Sequence, residues 1–203
     1  MIHAALENGL LTLTLDRQDK ANSLTAAMLA DLDAAIAGAG EIRALILTGA
    51  GKVFSAGADL DEARAGLATS PLWEQLSGRI AALPCLTIAA LNGTVAGGAL
   101  GMVLACDLRL AVPNAKLFYP VMKLGFLPQP SDPVRMAALI GPARAKMILM
   151  GGARIEAPEA LCWGLFDRLC APETLMDEAR ALAADSLLAS PAHVAGIKAL
   201  IPR

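Results

Sequence analysis

Phe54-Ser55-Ala56-Gly57-Ala58-Asp59-Leu60 follows the apolar run Ala44-Leu45-Ile46-Leu47-Thr48, and Asn92-Gly93-Thr94-Val95-Ala96-Gly97-Gly98-Ala99 follows Leu86 to Leu91 in the same way. Each continuous apolar run reads as a strand covered on both faces. A strand that leads into a glycine loop and then into a helix, met twice, marks an α/β chain built in layers. Both loops consist largely of residues with little or no side chain, so a substrate carbonyl can draw close to their backbone N–H groups. Two convergent donors of this kind form an oxyanion hole, which holds the negative charge that develops on such an oxygen.

Working outward, Leu10-Leu11-Thr12-Leu13-Thr14-Leu15 alternates as a half-buried strand does. Asn22-Ser23-Leu24-Thr25 offers caps for a helix through about Ile36, with Met28, Leu29, Leu32 and Ile36 as its inner face. A polar helical stretch begins at Leu60, a buried helix of small residues occupies Gly98 to Ala105, and Asp107 to Val112 reads as a further strand. Val134 to Ile140, Ala143 to Leu149, Pro158 to Trp163, Glu173 to Leu188 and Ala192 to Leu200 have helical spacing, with Pro142 suited to a first helical position. No linker divides the chain, so residues 1–203 are expected to form a single domain, with a core over 1–170 and C-terminal helices over 171–203.

Composition narrows the function. The 203 residues are 56% hydrophobic and 3% aromatic, so the core is built of Ala, Leu, Ile, Val and Met. A net charge of −2 with scattered Lys and Arg offers no basic stripe for nucleic acid. Ile80 to Cys106 carries no charge and exceeds the roughly 20 residues that span a bilayer. Pro84, Asn92-Gly93 and Gly97-Gly98 cut it into shorter pieces, so no membrane span is expected. The N-terminus lacks a basic stretch followed by a long apolar segment, which makes the cytoplasm the expected compartment.

Cys85, Cys106, Cys162 and Cys170 occur singly and read as reduced, buried, structural residues, with no metal site suggested. Gly49-Ala50-Gly51-Lys52 fails as a phosphate loop, because Ile46 stands where its first Gly belongs and Val53 where Ser or Thr would hold magnesium. Gly97-Gly98-Ala99-Leu100-Gly101 does not fit G-x-G-x-x-G. Ser55 lies outside G-x-S-x-G, and His3 and His193 sit near the termini with no carboxylate evident beside them in sequence, which argues against a Ser-His-Asp hydrolase.

The two loops, in this order and about forty residues apart, resemble the enoyl-CoA hydratase/isomerase family, also called the crotonase family. Leu15-Asp16-Arg17-Gln18-Asp19-Lys20-Ala21-Asn22-Ser23-Leu24 looks like its first turn, Ala44 to Leu60 like its strand and first loop, and Leu91 to Ala111 like its second loop and buried helix. Pro120 to Pro128 and Ala157 to Leu169 fit its later segments. The resemblance implies a crotonase-like (ClpP/crotonase) α/β fold of layered β-sheets with surrounding helices and a helical C-terminal third. It also implies an acyl-CoA thioester as partner, coenzyme A as part of the substrate rather than a permanently bound cofactor, a place in fatty acid metabolism, and homotrimers or hexamers. Members usually continue with further C-terminal helices that cover the acyl site. The expectation here, with the chain ending at Arg203, is a truncated C-terminal tail and an acyl pocket either more open or closed by a neighbouring subunit.

Carried over residue by residue, the resemblance puts the oxyanion donors on the backbone N–H groups of Ala58 and Gly98. It lines the adenine and pantetheine path with Ala56, Ala58, Asp59 and Leu60, and sets Lys20 and Ala21 near the CoA phosphates. Hydratases of the family use two glutamates, and in this chain Gly101 and Val121 occupy those positions. Neither moves a proton, so ordinary hydration is expected to be severely reduced. Two outcomes stay open: an enzyme that stabilises a thioester enolate without those acids, or a catalytically silent acyl-CoA-binding or scaffolding homologue. The loop after Gly125 carries Gln129, Ser131 and Asp132, where relatives of other specificity place an acid. Asp132 is the candidate replacement base, although its position before Pro133-Val134 also suits a helix cap or first-turn acid. Tyr119 reads as a packing residue and Asp107 as a structural acid.

Overall fold

A computed structural model describes residues 1–201, so the last two positions of the helices expected over 171–203 lie outside the described residues. The described residues form ten strands: β1 (Ile2–Glu7), β2 (Leu10–Leu15), β3 (Ala44–Gly49), β4 (Val53–Ser55), β5 (Leu86–Leu91), β6 (Thr94–Ala96), β7 (Leu108–Ala111), β8 (Lys116–Phe118), β9 (Ile155–Glu156) and β10 (Arg168–Leu169). Ten α-helices accompany them: α1 (Ala26–Gly38), α2 (Leu60–Arg64), α3 (Leu72–Ala82), α4 (Ala99–Ala105), α5 (Val121–Leu124), α6 (Ser131–Ile140), α7 (Pro142–Leu149), α8 (Ala157–Trp163), α9 (Leu175–Leu188) and α10 (Pro191–Leu200).

The strands make two sheets. The larger has the order β1-β2-β3-β5-β7-β10 and the smaller β4-β6-β8-β9. From β2 to β10 the large sheet is parallel, and β1 closes its edge as an antiparallel hairpin with β2. In the small sheet β4, β6 and β8 are parallel, and β9 is antiparallel. Three times in succession the chain lays one long strand in the large sheet, turns, and lays one short strand in the small sheet: β3 then β4, β5 then β6, β7 then β8. The two glycine loops follow the first two of these short strands and therefore emerge side by side.

The physical reasons are local. Leu45, Ile46, Ile88, Ala89 and Leu110 are fully buried, as strands covered on both faces require. Helix α1 buries Met28, Leu29, Leu32 and Ile36, each worth roughly 1.5–3 kcal/mol of apolar transfer. Its cap is Thr25, whose hydroxyl accepts from the Met28 N–H at 3.2 Å. Asn22 and Ser23, also expected as caps, are used elsewhere: Ser23 Oγ accepts from Arg17 at 3.1 Å, and Asn22 is 1% exposed and braces the first loop. All seven residues of α4 are buried, with α3 and α6 packed against it. Among the described residues no helix is long and apolar enough to cross a membrane.

Two smaller expectations need correction. Cys162 is exposed, whereas Cys85, Cys106 and Cys170 are buried. Burial pushes the Cys106 thiol up to about 12, so it stays protonated and unreactive. His3 does have a carboxylate beside it, since the β1–β2 hairpin brings Asp16 Oδ2 within 3.0 Å of its Nε2. That pair is exposed, and Ser55 is fully buried with its hydroxyl donated to Asn22 O at 2.8 Å, which argues against a hydrolase nucleophile.

Candidate active site

The first loop leaves β4 and is clamped by the segment before α1. Ala56 N–H donates to Ala21 O at 3.0 Å, Leu24 N–H to Gly57 O at 2.8 Å, and Asp59 N–H to Leu24 O at 2.8 Å. Gly57 N–H donates to Ser55 Oγ at 3.2 Å, and that hydroxyl in turn donates to Asn22 O at 2.8 Å. Ser55 is thus a buried brace. From Ala56 to Asp59, Ala58 N–H alone has no acceptor among the described residues.

The second loop repeats this economy. Gly97 N–H donates to Phe118 O at 3.1 Å, while Gly98 N–H, at the start of α4, has no acceptor among the described residues. Helix starts leave such donors over as a matter of geometry. The loops touch backbone to backbone: Gly57 has φ +92°, and a Cβ there would lie 2.8 Å from Ala96 O. Only glycine fits that approach and that left-handed backbone. Ala58 and Gly98 are both half-buried, so their amides sit in one partly shielded place. A Cβ on Gly98 would stand 3.1 Å from the Trp73 ring, which forms one wall and is fixed by its Nε1–H donating to Leu67 O at 2.8 Å.

Two asparagines hold the loops together. Asn22 Nδ2 donates to Val53 O at 2.7 Å and to Ala50 O at 2.9 Å, and its Oδ1 accepts from Arg17 N–H at 2.8 Å. Asn92 Oδ1 accepts from Gly49 N–H at 3.0 Å, and its Nδ2 donates to Gly51 O at 2.9 Å and to Val53 O at 3.3 Å. Neither asparagine nor Trp73 was assigned a role in the site by the sequence reading. The available signal was Asn92 at the head of the second glycine loop, whereas Asn22 lies far from the first loop in sequence and its φ of +53°, a conformation Asn tolerates better than most residues, is seen only in the fold.

Asp132 lies one turn along from Gly98. It is the second residue of α6, is 0% exposed, and makes no capping hydrogen bond, so the cap reading is corrected while its place as an acid in the first turn of the helix holds. A Cβ on Gly101 would stand 3.0 Å from Asp132 Oδ1 and 3.3 Å from Oδ2, so the carboxyl fills the space above that glycine. Tyr119, 3% exposed, donates its hydroxyl to Asp132 Oδ2 at 2.9 Å, a role beyond the packing expected of it. Oδ1 has no partner. Burial raises the Asp132 carboxyl to about 6, with Glu74 adding to the rise and the Tyr119 hydroxyl and Arg135 opposing it. Burial, reinforced by Asp132, also drives the Tyr119 phenol upward.

The remaining predicted residues divide by position. Lys20 and Ala21 end the short helical turn Gln18–Lys20 beside Ala56, and a hollow of about 350 Å³ opens there between Ala21, Gln18 and Lys52. The Asp59 side chain is already engaged: it takes Arg17 at 2.7 Å and caps α2 through Asp61 N–H at 3.1 Å. The Arg17 guanidinium holds its carboxyl below the usual range, and Leu60 is exposed. Val121 is buried at the start of α5. Asp107 is structural as expected, accepting from Thr87 N–H at 2.9 Å and from Lys198 Nζ at 2.7 Å. A larger cavity of about 790 Å³ lies at the far end of α4, between Leu104, Leu139, Val194 and Ile197, away from both glycine loops.

Comparison with known proteins follows from this geometry. The profile of the family described as Enoyl-CoA hydratase/isomerase matches residues 5–203. The chain is 41% identical over 182 residues to YngF of Bacillus subtilis, an enoyl-CoA hydratase/isomerase by name, covering 85% of this chain and 70% of that protein. It is 35% identical over a 207-residue alignment to the carnitinyl-CoA dehydratase of Citrobacter koseri, covering 97% of this chain and 78% of the relative. The crystal structure of an enoyl-CoA hydratase from Bacillus anthracis superposes with a TM-score of 0.87 at 32% identity, covering 96% of this chain and 79% of that one.

Proposed function

The chain belongs to the enoyl-CoA hydratase/isomerase family, and from that premise we propose that it binds an acyl-CoA thioester and stabilises the enolate formed from it. The thioester oxygen accepts from the N–H groups of Ala58 and Gly98. As the α-proton leaves, charge moves onto that oxygen, and each donor placed for it is worth about 3 kcal/mol in the transition state. The observation that carries this reading is the pair of unused amides on two loops packed backbone to backbone, where the neighbouring amides of the first loop are all engaged. The CoA moiety runs along Ala56 to Leu60, with Lys52 at the hollow beside Ala21, and Lys20 next to Ala21 in the chain, available to its phosphates. Coenzyme A enters and leaves as part of the substrate.

Gly101 and Val121 occupy the positions of the hydratase glutamates, and each missing acid or base forfeits roughly 10²–10⁴ in rate. Ordinary hydration is therefore slow, and the reaction is an isomerisation, a cleavage or an atypical hydration that proceeds through the same enolate. That same absence favours a second reading, a catalytically silent acyl-CoA-binding or scaffolding homologue. The proposal also places the protein in the cytoplasm and in fatty acid metabolism, assembled as trimers or hexamers. Exposed Met122, Leu124, Leu127 and Val134 support association.

Calorimetry separates thioester binding from scaffolding, and turnover of a crotonyl-CoA panel separates the enzyme from a silent binder. Butyryl-CoA is titrated against the thioether in which a methylene replaces the carbonyl, and the thioester is expected to bind about tenfold more tightly, through two hydrogen bonds of about 1 kcal/mol each less the carbonyl's own desolvation. Equal affinity removes the oxyanion hole from the account, and no binding of either compound leaves scaffolding.

A further inference from the structure

Buried carboxylates normally have every oxygen satisfied, and an oxygen that does not calls for an explanation. Asp132 Oδ1 has no partner among the described residues, in a side chain that is 0% exposed. What faces it is the main chain at Gly101, where even a methyl group would stand only 3.0 Å away. Gly101 and Gly98 are three residues apart on α4, a spacing that puts them on one face of a helix about 5–6 Å apart. The unpartnered oxygen of α6 thus packs against the same first turn of α4 that begins at the unused Gly98 amide. The other oxygen is pinned by Tyr119 at 2.9 Å, which fixes the carboxyl in one orientation.

We propose that Asp132, brought in from α6 and oriented by Tyr119, is the catalytic residue that carries the proton in this site. The assignment rests on the thioester reading above. Asp132 Oδ1 removes a proton from the α-carbon of the bound acyl group. The C–H electron pair passes into the α-carbon to carbonyl-carbon bond, and the carbonyl π pair moves onto the thioester oxygen held by Ala58 and Gly98. The proton rests on Oδ1 and returns to the α-carbon or, where a neighbouring double bond extends the enolate, to the γ-carbon. No oxidant, metal or second acid is needed. The substrate class is an acyl-CoA whose α-proton is made acidic by the thioester and by β,γ-unsaturation. Tyr119 is a positioning residue, because it reaches the substrate only through Asp132.

The groups that face Asp132 set its pH response: Tyr119 from the segment after β8, Glu74 from α3, and Arg135 from its own helix. Glu74 is itself tied to α6, accepting from Ser131 N–H at 3.2 Å. A base must be ionised, so the rate rises with pH through about 6. Removing the Tyr119 hydroxyl takes away a hydrogen bond that favours the charged form and shifts this limb to higher pH.

The test follows deuterium entering trans-3-hexenoyl-CoA from D2O by mass spectrometry, with butyryl-CoA binding measured alongside by calorimetry. Wild-type protein is expected to wash in deuterium. Asp132→Asn is expected to lose at least a hundredfold of that rate with binding changed less than threefold. Tyr119→Phe is expected to keep exchange but move its rising limb upward by at least half a pH unit, which a purely packing role would not do. Should Asp132→Asn fold poorly, Gly101→Glu combined with Asp132→Ala returns a carboxyl to the same space from α4. It is expected to exchange at least tenfold faster than Asp132→Ala alone. Binding without exchange in the wild type, undiminished exchange in Asp132→Asn, or an unmoved limb in Tyr119→Phe overturns the assignment while leaving the thioester reading intact. Absence of butyryl-CoA binding in the wild type overturns the thioester reading, and the assignment falls with it.

Discussion

A carboxyl buried with one oxygen unpaired costs a fold about 1–3 kcal/mol or more, and position 132 bears that cost against Gly101. Its carboxyl stands at about 6 in the fold and near 3.8 when unfolded, so the native state binds more protons between these values. The sign is therefore fixed: the contribution to stability is present below about 4 and is lost as pH rises through about 6, by on the order of 3 kcal/mol. Asp132→Asn should flatten that dependence and melt higher than wild type at pH 7.5, with the gap closing at pH 4.5, as read by thermal denaturation. At Gly57 the opposite holds. Gly57→Ala meets both φ +92° and the Ala96 carbonyl at 2.8 Å. It should lose more than the roughly 1–2 kcal/mol of left-handed strain in a urea melt, and should weaken thioester binding as the loops part.

The two glycine loops were legible in the chain because a run of small residues is a local signal, whereas Ala58 and Gly98 within them were singled out only through the family resemblance. The placement of Asp132 over Gly101 was not legible, because it depends on the register of α6 against α4, and nothing at either position announces it. Its spacing before Pro133 looked like a cap, yet tertiary packing turned the side chain inward. Tyr119 was underread for the same reason, since its hydroxyl partner lies across a loop.

Among the elements, the long strands of the large sheet were plain from six-residue apolar runs, and α1 from its four inner residues. The small sheet was hidden, because β4, β6 and β8 have three residues each and β9 two, too few for any periodicity, and the two-residue β10 at the edge of the large sheet was hidden for the same reason. β1 was missed as well, since Ile2 to Glu7 is exposed along nearly its whole length and carries no alternation. What fixes the short strands is side-chain bonding across turns. Asn22→Ala strands the Ala50 carbonyl, one bond at Val53 and the Arg17 amide, and should cost about 3 kcal/mol in a urea melt. Asn22→Asp keeps the acceptor and the left-handed backbone and should cost less.

Across the whole molecule, α10 is tied to the sheet through one cation. Lys198 Nζ donates to Cys85 O and to Asp107 Oδ2, each at 2.7 Å, reaching back 113 and 91 residues along the chain. Lys198→Ala should lose about 1.5–3 kcal/mol, the range for charge-assisted bonds, and hydrogen exchange should quicken first in α10 rather than in β5. The layered α/β architecture was legible in outline because strand, loop and helix recurred, but the third recurrence, β7 to β8, lacked a glycine loop to flag it.

The coil of alternating long and short strands has a consequence of its own. Its first two turns present the amides, whereas the carboxyl arrives on α6, a helix that follows the third. In the proposed reaction the grip on the oxygen would thus be set by sheet register, and the tool that works on the carbon would be mounted separately, like a bit in a chuck. Recasting the inward positions 132 and 136 of α6 changes the tool without loosening the jaws.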